Sequence, residues 1–342
     1  MLHYSPMNWT PPTLEKPQLI LPILQHCPAS QWQPITALSP IVSITVPPSF
    51  VSIWETSPHD NTDPKELNDR LYELGKMFSK LIITGQSHVK VREKDSPTDL
   101  VTDMDQGIEM LFRLWINHHY SDHKIIGEEG VKDPFTHDDV VWFIDPIDGT
   151  RNFVNGSKDV AIHLGAIYKG RPYASYVGKP FYNTHYKLGD TITSPSTPHF
   201  KNPLVIGSEF LSNREAESQL FNQLLIEFKA KPQRKMSIGI SLLDTWQNNV
   251  SLFYKPRLKP WDGIAPLLLM ESDPNTSIHI RYYPHTAQHY SDYSPLFPLS
   301  EKTLKNWSDI CQENCRIGHI IVGHARYEKV FDEIAAKLFK RL

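Results

Sequence analysis

Trp142-Phe143-Ile144-Asp145-Pro146-Ile147-Asp148-Gly149-Thr150 is the stretch of this sequence best equipped for chemistry. Its apolar start reads as a buried strand that ends at Asp145, because the residue before a proline is held extended. Pro146 turns the chain without needing an amide donor, so two carboxylates emerge at the mouth of the strand. Gly149 lets the backbone approach a ligand closely, and the amides of Gly149, Thr150 and Arg151 open a helix that can receive an anion. Oxygen donors for cations thus adjoin amides for a phosphate; the plain alternative is a solvated Asp turn. The spacing excludes an EF-hand, whose loop takes oxygen ligands at alternate positions and a Glu at the twelfth.

Three other acidic segments belong with it. Ile125-Ile126-Gly127-Glu128-Glu129 is a strand that leads into paired acids. Asp262, after Trp261, heads an apolar helical run, where its ordinary role is an N-cap. Asp99 to Asp105 form an acidic helix entrance that capping alone would explain.

Helices and strands must bring these segments together. Asp63-Pro64-Lys65-Glu66 offers an N-cap, a proline at the first helical position and an early acid. Leu67, Leu71, Leu74, Phe78 and Leu81 continue with helical spacing, predicting a helix to about residue 84. A short strand is expected over 88–92 and a second helix over 102–120, with Ile108, Leu111 and Trp115 on its buried face. Strands at 124–127 and 140–145 follow, and 161–168 with 172–177 form a hairpin about Lys169-Gly170. Further strands are expected at 204–207, 277–282 and 318–322, with helices at 213–228, 237–248, 262–271 and 324–342. This mixture predicts α and β layers rather than a simple doubly wound sheet.

The chain has 342 residues, 40% apolar and 21% charged, which is the composition of a globular protein with one large or two closely packed domains. Its 35 basic and 38 acidic residues are too balanced for a polyanion-binding surface, so no nucleic acid polymer is expected as a partner. Cys27, Cys311 and Cys315 build neither a disulfide framework nor a zinc site, which fits a reducing, cytoplasmic compartment. No apolar run reaches the roughly 18 residues of a membrane span, so no membrane is expected either. Residues 1–60 are different: they hold 11 of the 28 prolines, and residues 1–50 carry only Glu15 and Lys16 as charged residues. A Pro-rich arm of short extended pieces is expected there, without the features of a secretory or mitochondrial leader.

Taken in order, Lys94 to Asp105, Gly127-Glu128-Glu129, Asp145 to Thr150 and Trp261-Asp262 resemble the inositol monophosphatase family of magnesium-dependent, lithium-sensitive phosphatases, over roughly residues 63–340. The resemblance implies an α+β fold, the layered α/β/α/β/α sugar-phosphatase arrangement. An N-terminal half, 61–200, would carry the first motifs and a C-terminal half, 201–342, the Trp-Asp motif. It implies two or three Mg²⁺ ions as cofactor: Glu128, Asp145 and the carbonyl of Ile147 hold one, and Asp145 bridges to a second bound also by Asp148 and Asp262. Thr150, paired with Asp105, would share with Glu128 in placing the attacking water, and Lys94 would support the metal–water network. The amides of Gly149 and Thr150 would hold phosphate oxygens. Residue chemistry agrees, because so many carboxylates facing one site repel one another unless hard cations neutralise them. Two such ions about 4 Å apart activate a water, bind the phosphate and stabilise the leaving alkoxide. The reaction implied is direct attack of water on phosphorus, in a homodimer.

The substrate is less well marked. In the inositol-specific branch an acid stands seven positions before the Trp-Asp aspartate, and here Lys255 stands there. Lys255, Arg257 and Lys259 alternate with Pro256 and Leu258; if extended they form a basic edge, either solvated or suited to a second anionic group. Ser237-Ile238-Gly239 keeps part of a motif that lines the family's substrate pocket, so Ser237 and Gly239 join Lys255 as candidate substrate contacts. Pro266 stands where a small residue is usual, Ser272-Asp273-Pro274 replaces a glycine pair, and Arg151 replaces a commoner Thr. The expected function is Mg²⁺-dependent hydrolysis of a small phosphorylated metabolite of the inositol monophosphate kind. A bisphosphate nucleotidase or sugar-bisphosphate phosphatase of the same superfamily is the enzyme alternative. A non-catalytic metal-binding regulatory scaffold is the alternative of another class.

Overall fold

The computed structural model describes residues 63–87, 89–94, 100–192, 204–208, 215–284, 287, 291–313 and 316–339, so the Pro-rich arm at 1–60 lies outside the described residues. Asp63 caps α1 (Pro64–Gly85) by accepting the amide of Lys65 at 3.1 Å, and Pro64 sits where a missing N–H does no harm. Leu67, Leu71, Leu74 and Phe78 recur on one face and are fully buried. β1 (Val91–Glu93) and β2 (Leu100–Thr102) then form an antiparallel ribbon. His88 of the expected first strand lies outside the described residues. Thr102 caps α2 (Asp103–His119) in a reciprocal box with Asp105.

Five strands follow. β3 (Lys124–Gly127), β4 (Val140–Asp148), β5 (Ala161–Tyr168), β6 (Arg171–Lys179) and β7 (Thr184–Lys187) lie side by side in chain order. β3 runs parallel to β4 and the other pairs are antiparallel. The short α3 (Thr150–Val154) occupies the connection from β4 to β5. Lys169 and Gly170, at φ 50° and 70°, make the tight turn from β5 to β6 that the hairpin requires.

The second sheet takes β8 (Val205–Ser208), β9 (Lys231–Gln233), β10 (Leu252–Leu258), β11 (Ile278–Pro284), β12 (Ser294–Pro295) and β13 (Gly318–His324), in the order β12-β11-β13-β10-β8-β9. Its helices are α4 (Glu215–Glu227), α5 (Ile238–Trp246), α6 (Pro260–Ser272), α7 (Glu301–Gln312) and α8 (Glu328–Phe339). The basic edge expected around Lys255 is corrected here: β10 is an interior strand between β13 and β8. Asp262 is not an N-cap either, since α6 begins at Pro260 and Lys259 takes the cap position.

Apolar alternation fixes the layers. α1 and α2 pack through Leu71, Phe78, Ile108 and Phe112 on Trp142, Ile144 and Leu164 of the first sheet. α5, α6 and α7 fill the space between the sheets, where Leu242, Trp261, Leu268 and Trp307 meet Phe143 on one side and Phe253 and Val322 on the other. Leu252 and Tyr254, flanking Phe253, point to the opposite face and meet Leu224 of α4 and Phe331 of α8. The result is an α+β fold in α/β/α/β/α layers. No described helix is long and apolar enough to cross a membrane.

Candidate active site

Asp145 and Asp148 are three residues apart, a spacing that puts side chains on opposite faces of a regular strand. β4 avoids this with a bulge: Asp145 pairs with His163 and Asp148 with Ala161, so three steps on β4 match two on β5. Pro146, which has no N–H to offer the ladder, falls inside the irregular stretch. The strand therefore continues past Asp145, beyond the end expected from sequence, and sets both carboxylates over one face of β5. They are 2% and 6% exposed.

Each carboxylate is anchored differently. Asp145 Oδ1 accepts the amide of Ile147 at 3.0 Å. Asp148 lies at the start of α5, where its Oδ1 accepts the N–H of Ile238 at 3.0 Å and its Oδ2 that of Gly239 at 2.6 Å together with the Ser237 hydroxyl. Ser237 and Gly239, expected among the substrate contacts, are thus brought to Asp148. A Cβ on Gly239 would fall 1.9 Å from Nε2 of His163, so the close approach requires glycine. Gly149 takes φ 89° and opens α3, as its place before Thr150 demands.

Thr150 Oγ1 stands 3.3 Å from Asp105 Oδ1 and 3.1 Å from the carbonyl oxygen of Ile147, so one hydroxyl proton chooses between two acceptors. Asp105 is fully buried, and its Oδ2 accepts both the amide and the hydroxyl of Thr102. Lys94 Nζ donates to Glu128 at 3.0 Å and also pairs with Glu129. Asp262, in the first turn of α6, feels the charges of Lys255 and Lys259. The fold thus brings Lys94, Asp105, Glu128, Asp145, Ile147, Asp148, Gly149, Thr150, Lys255 and Asp262 to one end of the first sheet and the adjoining α6.

Two residues beside this set, Glu129 and His163, are assigned no chemical role from the sequence. Glu129 shares Lys94 with Glu128. His163, fully buried on β5, lies with Nδ1 3.3 Å from the carbonyl of Trp261 and Nε2 3.5 Å from Asp148. A lone imidazole inside the apolar run Ala161-Ile162-His163-Leu164 was the signal that could have found it.

The electrostatics are those of charges held too close. Burial pushes Asp148 up to about 6 even against its three donors. Burial does the same to Asp262, also to about 6, while Lys255 and Lys259 pull it down. Asp105 rises to about 7 through burial, and the Glu128 charge adds to it. Glu129 reaches about 8 through burial and the neighbouring Glu128. Asp145 lies well above the carboxylate range, from burial and then from Glu128, Asp148, Asp262 and Asp105. Lys94 is held above the lysine range by Glu128 and Glu129, which outweigh its burial. Among the described residues no three such acids close into a finished metal cage. They come from β4, α2, α6 and the turn after β3, an all-oxygen set that suits a hard cation keeping waters of its own.

Against this geometry the comparisons with known proteins are direct. Residues 63–272 match the model of the inositol monophosphatase family. The chain belongs to that family. This inositol monophosphatase family member is 30% identical over 192 residues to the chloroplastic phosphatase IMPL1 of Arabidopsis thaliana, a match covering 51% of the chain and about half, 52%, of the plant protein. It is 27% identical over 223 residues to the inositol-1-monophosphatase of Bacillus subtilis, covering 60% of the chain and 82% of that enzyme. A solved complex of an IMPase/NADP phosphatase with NADP and Ca²⁺ superposes with a TM-score of 0.62 at 17% identity, over 80% of the chain and 96% of that structure. That last likeness is one of fold. The family match includes every candidate site residue named above.

Proposed function

We propose that this chain is a Mg²⁺-dependent phosphomonoesterase that hydrolyses a small phosphorylated metabolite by direct attack of water. Membership of the family makes it a phosphoric monoester hydrolase by class. One observation carries the finer reading: the β4 bulge places Asp145 and Asp148 on a common face beside Glu128 and Asp262, with the Thr150–Asp105 pair adjoining.

Glu128, Asp145, Asp148, Asp262 and the Ile147 carbonyl would hold the cations. Asp145 keeps Oδ2 for this purpose, and the Ile147 oxygen keeps a second lone pair beyond the one facing Thr150. Bound divalent ions would neutralise the phosphate, lower the pKa of water and stabilise the departing alkoxide. Glu128 and Thr150 Oγ1 orient that water. Its proton passes through the Thr150 hydroxyl to Asp105 Oδ1, a carboxylate that burial raises to about 7. The amides of Gly149 and Thr150 hold phosphate oxygens, and the left-handed turn at Gly149 leaves no Cβ in their way. Lys94 fixes Glu128 and shares Glu129, keeping the pair from repelling each other apart. Water supplies the new P–O bond and the ester P–O bond breaks; the leaving alkoxide takes a proton from solvent and departs as the alcohol, while Asp105 returns the attacking water's proton to solvent.

The test is phosphate release from a panel of inositol, sugar, histidinol and nucleotide phosphates. Selective release that EDTA abolishes, Mg²⁺ restores and Li⁺ inhibits is expected; no release from folded protein that still binds divalent ions would replace the enzyme with a metal-binding scaffold. A bisphosphorylated substrate is the second reading, favoured by Lys255, whose half-buried ammonium acts on Asp262 where the inositol branch has an acid. Lys255→Glu is then expected to lower kcat/KM for bisphosphates by about tenfold or more relative to inositol monophosphate. An unchanged ratio would remove that reading. The homodimer usual in the family and the cytoplasmic location expected from the cysteines complete the proposal, and sedimentation equilibrium checks the first.

A further inference from the structure

α2 carries a second acid one turn beyond Asp105. Glu109 is 2% exposed, and no role in the reaction described above has been given to it. Its carboxylate faces the turn after β3, which carries Glu128. Oε2 accepts the N–H of Glu129 at 2.8 Å and Oε1 that of Gly130 at 2.8 Å. Arg113, four residues along the same helix, donates Nε to Oε1 at 2.8 Å and Nη2 to the carbonyl of Val131 at 2.7 Å. The turn has been cut to fit this group: a Cβ on Gly127 would lie 2.1 Å from Oε1, and one on Gly130 2.4 Å from it.

Glu128 is the residue between these anchors. On one side its own N–H donates to Ile144 of β4 at 3.1 Å, and on the other the Glu128–Glu129 peptide is held by Glu109. Both peptide planes around Glu128 are therefore fixed, one by the sheet and one by α2. The same helix fixes Thr150 through Asp105, at the other turn of the site. Asp105 and Glu109, spaced by four, lie on one helical face. Arg113 neutralises Glu109, so the carboxylate shapes the turn without adding to the negative field of the site.

We infer that Glu109 is the positioning residue for Glu128, and that α2 sets the distance between the Glu128 turn and the Thr150 turn through two carboxylates one helical turn apart. The inference rests on the reading of Glu128 as a metal ligand. Outer partners of metal ligands typically account for 10–100-fold in metal affinity. Glu109→Ala should thus weaken Mn²⁺ binding, measured by electron paramagnetic resonance of the free ion, by about 10–100-fold in folded protein. It should raise the Mg²⁺ concentration needed for half-maximal rate by a similar factor. Glu109→Gln, which keeps one acceptor of the same reach, should fall between wild type and Ala. In the wild type, hydrogen exchange followed by NMR should find the Glu129 and Gly130 amides protected although they lie outside any strand or helix, a readout that does not depend on a variant folding. Folded Glu109→Ala that binds Mn²⁺ within about twofold of wild type, or unprotected amides in the wild type, would overturn the inference alone. Wild-type protein that binds no Mn²⁺ would overturn the metal assignment of Glu128 with it.

Discussion

Two sets of buried titratable side chains sit in the two sheets of this molecule and have opposite characters. At the end of the first sheet, Asp145, Asp148, Asp262 and Asp105 are carboxylates raised by burial and by the Glu128 charge among them. On β13 of the second, His319 and His324 are imidazoles that burial lowers to about 4 and so keeps neutral. His324 is fully furnished: Nε2 faces the carbonyl of Thr245 at 3.2 Å and so must donate, leaving Nδ1 to accept from Ser277 at 3.1 Å. His319 stacks on Tyr254 with its Nδ1 3.3 Å from the phenol. The histidines serve the fold. The carboxylates strain it, and their arrangement makes sense only with positive charge added.

The sharpest way to break this contrast is Asp145→Asn. Asn keeps the volume and the acceptor for Ile147, and removes the charge at the centre of four like charges. Turnover should fall by more than about 100-fold, exceeding the loss for an outer partner. Metal-free protein at pH 7.5 should melt no lower than wild type, because Asn adds nothing that its neighbouring carboxylates repel. Near wild-type turnover, or a lower melting temperature with the fold intact, would remove Asp145 from the metal site.

Much of the site was legible because its parts are local. The Asp63 cap, the Thr102–Asp105 entrance and the Lys169-Gly170 turn each need only a few adjacent residues. The misjudged parts depend on pairing. Pro146 argued for ending β4 at Asp145, and the alternation of Lys255, Arg257 and Lys259 with Pro256 and Leu258 suggested a basic edge. In both cases the chain inserts a bulge with three steps against two, from Asp145 to Asp148 on β4 and from Lys255 to Leu258 on β10. A proline is accommodated inside each sheet this way, with Arg257 at φ 55° in the second. The contact of Ser237 and Gly239 with Asp148 spans about ninety residues of chain and has no local sign. α7 did have one, in Ser300 followed by Leu304, Trp307 and Cys311 at helical spacing, but its mean hydropathy is low and polar residues obscured it.

A second, smaller effect concerns cations and protons as alternatives. Asp148 and Asp262 stand at about 6 in the fold against an ordinary 3.8, so the folded state binds protons more readily than the unfolded. Between those values the metal-free protein gains stability as pH falls and loses it as pH rises. Mg²⁺ should therefore raise the melting temperature at pH 7.5, by about 2.7 kcal/mol of stability at a hundredfold excess over Kd. At pH 5.5, where protons have begun to occupy the same carboxylates, most of that gain should vanish. Calorimetric scans at both pH values check this, and an equal gain at each would mean that the ions bind elsewhere.

The smallest effect belongs to the second sheet and has the opposite sign. His324 titrates near 4 in the fold and near 6.5 in the unfolded chain, so between those values the unfolded state holds more protons. Its contribution to stability is complete above pH 6.5 and is lost as pH falls towards 4. Gln at 324 can still donate to Thr245 and cannot titrate. His324→Gln should consequently flatten the loss of stability on acidification, and taking the difference from wild type cancels the carboxylates, which both proteins share. Urea titrations from pH 7 to 4.5 measure that difference; equal slopes would mean that His324 takes up its proton as readily in the folded protein as in the unfolded chain, and the contrast between the two sheets would then rest on His319 alone.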